Sequence, residues 1–192
     1  MPNTALQRLL DGNLRYRAQH STLDESAARR IEVAHGQHPF AAIFSCVDSR
    51  VPPELIFDQG LGDLFVVRTA GEVLDRAVLG SLEFGVANLH IPLILVLGHE
   101  SCGAVRAAIE SLERQQPAEA EIEFLVEALA PAVRQNERSS DERLQQAGQA
   151  QVALIVAQLK ISPILSAAVA AGTLLIVGGW YHLESGEVEI IG

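Results

Sequence analysis

Short apolar runs alternate along the chain with segments in which apolar residues recur at every third or fourth position. The apolar runs predict buried strands at 39–46, 63–71, 91–99 and 173–183, and a short fifth strand at 186–192. The segments with helical spacing predict helices at 4–20, 74–90, 102–115, 151–159 and 162–172. This alternation is typical of an α/β fold, with a mainly parallel central sheet of four strands plus a short edge strand and helices on both faces.

The remaining segments are more polar and less regular. Thr4 is the candidate cap of the first helix, and the polar stretch 21–30 is predicted to be a connection. The sequence VPPELIFDQGLG at 51–62 opens on prolines and stops at a glycine, which favours a short helix. The polar segment 116–150 is predicted to form exposed helices and a loop.

Length and composition indicate one domain. The 192 residues can bury one substantial core, and 48% hydrophobic with 20% charged residues is usual for a soluble globular protein. We therefore expect a single domain over 1–192, with an N-terminal helical arm at 1–36 and an α/β core at 37–192.

Charge and cysteine content exclude several classes of partner. A net charge of −10 argues against binding to nucleic acid or to an anionic membrane. The first twenty residues are too polar for a signal peptide, and no run of about 18 apolar residues is present. The two cysteines are far apart in the sequence, which favours free thiols over a disulfide. Free thiols indicate a reducing compartment, and we expect a cytoplasmic location.

Three candidate metal ligands follow two of the predicted strands. Cys46 ends the first strand, whereas His99 ends the third and Cys102 lies three residues further on. Ligands of open parallel sheets bind beyond the carboxyl ends of the strands, so these residues are expected to meet there. Two thiolates and one imidazole suit Zn²⁺, and a catalytic zinc keeps its fourth position open. Two buried free cysteines beside an unrelated histidine remain the alternative at this point.

A carboxylate and a guanidinium adjoin the first candidate ligand. Asp48 lies two residues after Cys46, and Arg50 follows Asp48 at the same spacing. The planar guanidinium of arginine binds a carboxylate through two parallel hydrogen bonds. An ordinary surface ion pair would contribute little, and it would not explain why the two residues adjoin a thiol at the ligand-binding edge.

The two segments together resemble a known family. CVDSRVPPELIFDQGLGDLFVVRTAG followed by LILVLGHESCGAV is similar to the β-class carbonic anhydrases of bacterial type, whose signature is C-x-D-x-R followed by H-x-x-C-G. The resemblance extends from about Gln37 to Val105, with both motifs intact and in order.

The resemblance implies the roles of the site residues. Cys46, His99 and Cys102 would hold one Zn²⁺ per subunit, and Asp48 with Arg50 would form the catalytic dyad. In a closed state Asp48 would become the fourth zinc ligand. The residues that would contact the substrate are Gln37, Phe65, Ala70, Phe84 and Gly103. Core packing alone would also explain the two phenylalanines, and Gln37 could simply cap a loop.

By the same resemblance, the expected activity is that of a lyase. The chain would catalyse the reversible hydration of CO₂ to bicarbonate and a proton by a zinc-bound hydroxide. Family members are dimers or larger, so we expect a homodimer or a dimer-based tetramer or larger assembly. The cleft would then lie at the subunit interface, with the N-terminal helix wrapping the partner, and Gln37, Phe65 and Phe84 could serve the neighbouring zinc.

Three other functions are compatible with parts of the pattern. The same zinc site could hydrolyse COS or CS₂, and the sequence does not distinguish these substrates from CO₂. A non-catalytic zinc-binding regulator or store would keep the site closed through Asp48. A thiol redox protein is disfavoured because the cysteines do not form a C-x-x-C motif.

Overall fold

Five strands form one sheet in this computed structural model, which describes residues 1–135 and 140–191. The strands are β1 (Ala41–Cys46), β2 (Leu64–Thr69), β3 (Leu93–His99), β4 (Leu175–Tyr181) and β5 (Val188–Ile191). Their order is β2-β1-β3-β4-β5, in which the first four are parallel and β5 pairs antiparallel with β4. The predicted sheet of four parallel strands and a short edge strand is confirmed.

Eight helices surround the sheet in the described part of the chain. They are α1 (Pro2–Arg17), α2 (Ala27–Val33), α3 (Pro53–Ile56), α4 (Arg76–Leu89), α5 (Gly103–Arg114), α6 (Ile122–Arg134), α7 (Ser140–Lys160) and α8 (Pro163–Ala170). A 3₁₀ turn, Ala70–Glu72, follows β2. No single described helix is long and apolar enough to span a membrane; Glu142–Lys160 and Pro163–Ala170 reach that length and composition only together, across an 85° bend.

The two central strands are buried along their whole length and separate two hydrophobic clusters. Because side chains alternate across a strand, Phe44 and Val96 face a cluster that includes residues of α4, α7 and α8. Ile43 and Leu95 face the opposite cluster, to which α1 and α3 contribute. Helices therefore cover both faces of the sheet, as predicted.

Trp180 fills the space where α7 crosses the sheet. Its side chain is buried, although its indole nitrogen has no hydrogen-bond partner among the described residues. A Cβ atom on Gly98 would lie 2.9 Å from the Trp180 ring and 2.6 Å from Val152. A Cβ atom on Gly148 of α7 would lie 2.6 Å from the same ring. The two glycines thus provide the room that the indole occupies.

Two helix predictions need correction at the N-terminal end. The first helix begins at Pro2 with Met1 as its cap, so Thr4 lies inside the helix and does not cap it. Proline is favoured in the first helical turn because its missing N–H costs nothing there. The stretch 21–30, predicted as a connection, contains the first four residues of α2, which Ser26 caps through its side chain. This helix buries none of its residues, so it leaves no hydrophobic periodicity to detect.

The segment predicted as exposed helices contains a buried one. In α6, Val126, Leu129 and Val133 are buried in a third cluster together with residues of α5 and α7. The polar residues before and after α6 lowered the average hydropathy of the segment and concealed this apolar stripe. Residues 136–139, also part of that prediction, lie outside the described residues.

The N-terminal helix packs against its own chain. Ala5 and Leu9 are buried in the cluster formed with β1 and β3. At the other end of α1, Arg15 donates a 2.6 Å hydrogen bond to Asp58, whose side chain is fully buried. Only the outer face of α1, where Leu14 is 57% exposed, remains for contact with another subunit.

Candidate metal centre

Neighbouring parallel strands bring the three predicted ligands together. Cys46 is the last residue of β1 and His99 the last of β3, and these strands are paired. A tight turn, in which Ser101 has a φ of +54°, leads from His99 to Cys102, the cap residue of α5. The ligand atoms of the three residues all lie within 4.8 Å of one another, and all three residues are buried.

The arrangement fits a tetrahedral zinc ion. Two thiolates at the usual Zn–S distance of about 2.3 Å are about 3.8 Å apart in a tetrahedron. The observed separation between Cys46 Sγ and Cys102 Sγ is 3.9 Å. His99 donates from Nδ1 to the Glu100 carbonyl at 2.8 Å, which leaves Nε2 buried without a partner among the described residues. Nε2 of His99 is thus available to bind a metal ion together with the two thiolates.

The two thiols are hydrogen bonded to each other, with their sulfurs 3.9 Å apart, and their pKa values move in opposite directions. The hydrogen bond between the two sulfurs lowers the pKa of Cys46; burial opposes this effect, and the Gly71 N–H adds to it. The same hydrogen bond, together with burial, raises the pKa of Cys102. One sulfur is therefore prepared as a thiolate, and binding of a metal by both would release the proton of the other.

Arg50 holds Asp48 at the edge of this cluster. Its Nε lies 2.9 Å from Oδ1 of Asp48 and its Nη2 lies 2.8 Å from Oδ2, while the Arg50 backbone N–H also donates to Oδ1. These hydrogen bonds lower the pKa of Asp48 to about 2, against a smaller opposing effect of burial. Oδ2 of Asp48 lies 3.9 Å from Nε2 of His99. The structure thus shows the carboxylate beside the metal position and engaged at both oxygens by Arg50.

Sequence reasoning missed three residues near the ligands, two of which support them through hydrogen bonds. Arg68 on β2 donates to the carbonyls of Cys46, at 2.8 Å, and Asp48, at 2.7 Å, and so fixes the turn between them. Gly71 has a φ of +65° and directs its N–H towards Cys46 Sγ at 3.4 Å. Glu72 is buried, and burial followed by the nearby charge of Cys46 raises its pKa. An arginine in an otherwise apolar strand was the one available signal.

Two of the predicted substrate residues lie next to the ligands. Ala70 directly follows Thr69, which pairs with Cys46 across the strands. Gly103 is the first residue of α5, immediately after Cys102, and a Cβ atom there would meet nothing within 4 Å. Both positions therefore border the open side of the cluster.

The other three predicted substrate residues lie away from the metal ligands of their own chain. Phe65 pairs with Ala42, four positions before Cys46 on β1, which is about 13 Å along the strand. Phe84 is on α4 and is 50% exposed. Gln37 is exposed and precedes the amino end of β1, opposite the end that carries Cys46. Phe65 and Gln37 are thus too far along the sheet from Cys46 to act at the metal position of their own chain.

The geometry agrees with what comparison with known proteins finds. A family model described as carbonic anhydrase matches residues 41–188, which include the ligand cluster and the Asp48–Arg50 pair. The fold also matches the β-carbonic anhydrase of Coccomyxa, with a TM-score of 0.77 and 26% identity, over 97% of this chain and 86% of that chain. The chain belongs to the β-class carbonic anhydrase family.

Bacterial and fungal carbonic anhydrases extend the comparison. Carbonic anhydrase 2 of Mycobacterium tuberculosis is 46% identical over 198 residues, which cover 99% of this chain and 95% of that protein. A β-carbonic anhydrase of Sordaria macrospora, described as tetrameric, has the same fold, with a TM-score of 0.78 at 23% identity over 84% of this chain and 85% of that chain. The family inferred from the two sequence motifs and the fold inferred from the alternation of strands and helices are confirmed.

Proposed function

We propose that this chain catalyses the reversible hydration of CO₂ to bicarbonate and a proton, with one Zn²⁺ held by Cys46, His99 and Cys102. The observation that carries the proposal is a buried thiol–imidazole–thiol cluster beside a carboxylate that an arginine keeps off the metal position. Bound zinc supplies a Lewis acid that makes water a competent nucleophile near neutral pH.

Asp48 and Arg50 prepare the nucleophile and the open coordination position. With a pKa of about 2, Asp48 stays ionised at neutral pH and can only accept a hydrogen bond. It accepts one from the attacking water and so turns a lone pair of the water oxygen towards the carbon of CO₂. Arg50 occupies both carboxylate oxygens and thereby prevents Asp48 from becoming a fourth metal ligand.

The surroundings of the cluster determine what reaches it. Ala70 presents a small apolar side chain beside Cys46, which suits an uncharged substrate. The N–H of Gly103 lies at the positive end of the α5 dipole, where it would stabilise the negative charge that develops on a substrate oxygen. Because the thiolates of Cys46 and Cys102 would cancel the charge of a Zn²⁺ ion held there, they would weaken its effect on the acidity of water, and the rate should rise on the alkaline side of neutral pH.

Stopped-flow CO₂ hydration on protein of measured zinc content tests the proposal. Asp48→Asn should keep the zinc and lose activity by about 100-fold, because the amide no longer acts as a pure acceptor. Asp11→Asn, at an exposed position on α1, is the matched control and should behave as wild type. Equal rates for Asp48→Asn and wild type would refute the assigned role. COS and CS₂ assayed beside CO₂ would reveal a different substrate.

We propose further that the enzyme is a homodimer, or a tetramer or larger assembly built from such dimers. The edge strand β2 is only partly buried, and the nearby residues Leu55 and Leu61, exposed by 53% and 40%, line a cavity of about 200 Å³ with Leu64. A second copy covering this side would place Phe65 and Phe84 at an interface.

Size-exclusion chromatography with light scattering on the eluting protein measures the mass of the assembly. Phe84→Glu would bury a charge at such an interface and should shift the mass towards the monomer. Ile122→Glu, at a similarly exposed residue on α6, should leave the mass unchanged. A monomeric wild type, or an unchanged mass for Phe84→Glu, would contradict the proposal.

We also propose a cytoplasmic location. The two thiols are free and 3.9 Å apart, an arrangement that persists in a reducing compartment and is exposed to oxidation elsewhere. Fractionation of cells, with an antibody against the chain and a periplasmic marker as control, measures the distribution. Recovery of the chain in the same fraction as the periplasmic marker would overturn the proposed cytoplasmic location.

A further inference from the structure

Glu100 connects the metal-ligand turn to the end of β4. Its carboxylate Oε1 lies 2.8 Å from Nδ1 of His182, and its Oε2 accepts the N–H of Leu183 at 2.9 Å. Its backbone N–H donates to the carbonyl of Tyr181 at 3.1 Å. Tyr181, the last residue of β4, and the two residues after it thus hold Glu100 in place, although none of the three is a candidate ligand.

The same residue orients the histidine ligand. The carbonyl of Glu100 accepts the Nδ1–H of His99 at 2.8 Å, which sets the tautomer that directs Nε2 to the metal position. Glu100 and Ser101 are the two residues between His99 and Cys102, so a rotation of the Glu100 peptide would move both ligands. Hydrogen bonds to metal-bound histidines fix ring orientation and affect the affinity for the metal.

We propose that Glu100 is a positioning residue of the metal centre, which acts by anchoring the turn between His99 and Cys102 to His182 and Leu183. The inference deepens the proposed function, since it concerns the same centre, but it stands on the geometry of the turn. Nothing in it depends on the identity of the substrate.

The exposure of the Glu100–His182 pair distinguishes a role in metal binding from a general contribution to the free energy of unfolding. The side chains of Glu100 and His182 are 34% and 29% exposed, and ion pairs so accessible to water add little to the free energy of unfolding. Loss of the anchor should therefore weaken metal binding more than it weakens the fold.

Competition titration with Zn²⁺ and the absorption spectrum of the Co²⁺-loaded protein test this proposal. Glu100→Ala should weaken Zn²⁺ binding by about tenfold and change the Co²⁺ ligand-field bands. Glu100→Gln should restore both, because its amide oxygen can accept from Leu183 while its nitrogen donates to Nδ1 of His182. Glu189→Gln is the matched control: Glu189 lies 3.6 Å from Nε2 of His182, and this change removes a charge but not the anchor.

The outcomes distinguish this proposal from the proposed function. Wild-type Zn²⁺ affinity and Co²⁺ bands in a folded Glu100→Ala protein would overturn it, and so would a Glu189→Gln protein as impaired as Glu100→Ala. If Glu100→Ala fails to fold, a Glu100→Gln protein with weakened Zn²⁺ binding would also overturn it. A wild type that binds Zn²⁺ but does not hydrate CO₂ would refute the proposed function and leave these measurements valid.

Discussion

Asp58 provides a test of how the N-terminal helix is held. Its Oδ1 accepts from the Ser21 hydroxyl at 2.6 Å and the Thr22 N–H at 2.8 Å, and its Oδ2 accepts from Arg15 at 2.6 Å and the Thr22 hydroxyl at 2.9 Å. Asp58→Asn keeps the shape and removes the charge. Asp58 has a φ of +48°, which asparagine tolerates, so backbone strain does not confuse the comparison.

The contribution of the ionised Asp58 to the free energy of unfolding can be worked out from the surroundings of its carboxylate. Burial raises the pKa of Asp58, but hydrogen bonds from Ser21, Arg15 and Thr22 together outweigh it and lower the pKa from 3.8 to about 2. At about 1.36 kcal/mol per pKa unit, this corresponds to about 2.4 kcal/mol of stability at neutral pH. Arg15 is 36% exposed, and screening by water reduces the contribution to about 1–2 kcal/mol.

Urea unfolding of wild type and Asp58→Asn, followed by circular dichroism across the acid range, measures this contribution. Because the pKa is lowered in the folded state, the stabilisation is complete above the unfolded value of about 4 and disappears as the pH falls towards about 2. The difference in unfolding free energy between the two proteins should close over that interval. Effects of acid on the thiols and other carboxyl groups are common to both proteins and cancel.

Two results would refute this reasoning. One is equal stability of the two proteins at neutral pH, and the other is a difference that stays constant down to about pH 3. Asp11→Asn is the control, because Asp11 is exposed on α1 and, among the described residues, accepts a single hydrogen bond, from Gln7 one turn earlier.

Three further substitutions test the centre and its support. Cys46→Ala should abolish stoichiometric Zn²⁺ binding, and full zinc occupancy by elemental analysis would exclude Cys46 as a ligand. Arg50→Ala should keep the zinc but release Asp48 to bind it, so that CO₂ hydration at neutral pH is lost; wild-type rates would show that Arg50 does not control Asp48. Gly98→Ala should lower the free energy of unfolding by about 1–3 kcal/mol, whereas Gly80→Ala, where a Cβ atom meets nothing within 4 Å, should raise it slightly; the same urea midpoint for Gly98→Ala and wild type would contradict the packing argument.

The sheet and the ligand cluster could be predicted because both depend on strong local signals. Apolar runs marked four parallel strands, and a parallel sheet necessarily presents the ends of β1 and β3 at one edge. Cys46 and His99, at those ends, were therefore expected at the same edge, and the direct pairing of β1 with β3 is what the structure adds. The spacing of Asp48 and Arg50 within one short turn likewise made their contact predictable.

The remaining features depend on tertiary contacts that no local pattern reveals. Arg68 supports the ligand turn only because β2 lies beside β1, and the anchor formed by Glu100 and His182 joins residues 82 positions apart. The distance of Phe65 from the metal site of its own chain follows from the register between β1 and β2, which cannot be read from the sequence. The helix α2 escaped prediction because it has no buried face.

The packing of Trp180 constrains the order in which this sequence can diverge. A Cβ atom at Gly98 or Gly148 collides with the indole, and at Gly98 also with Val152, so such a replacement lowers the stability of the fold unless the residues that it meets become smaller. A smaller residue at Trp180 leaves a cavity until one of the glycines is filled. Because Gly98 immediately precedes His99, a backbone shift that relieves the collision at Gly98 would also displace this candidate metal ligand.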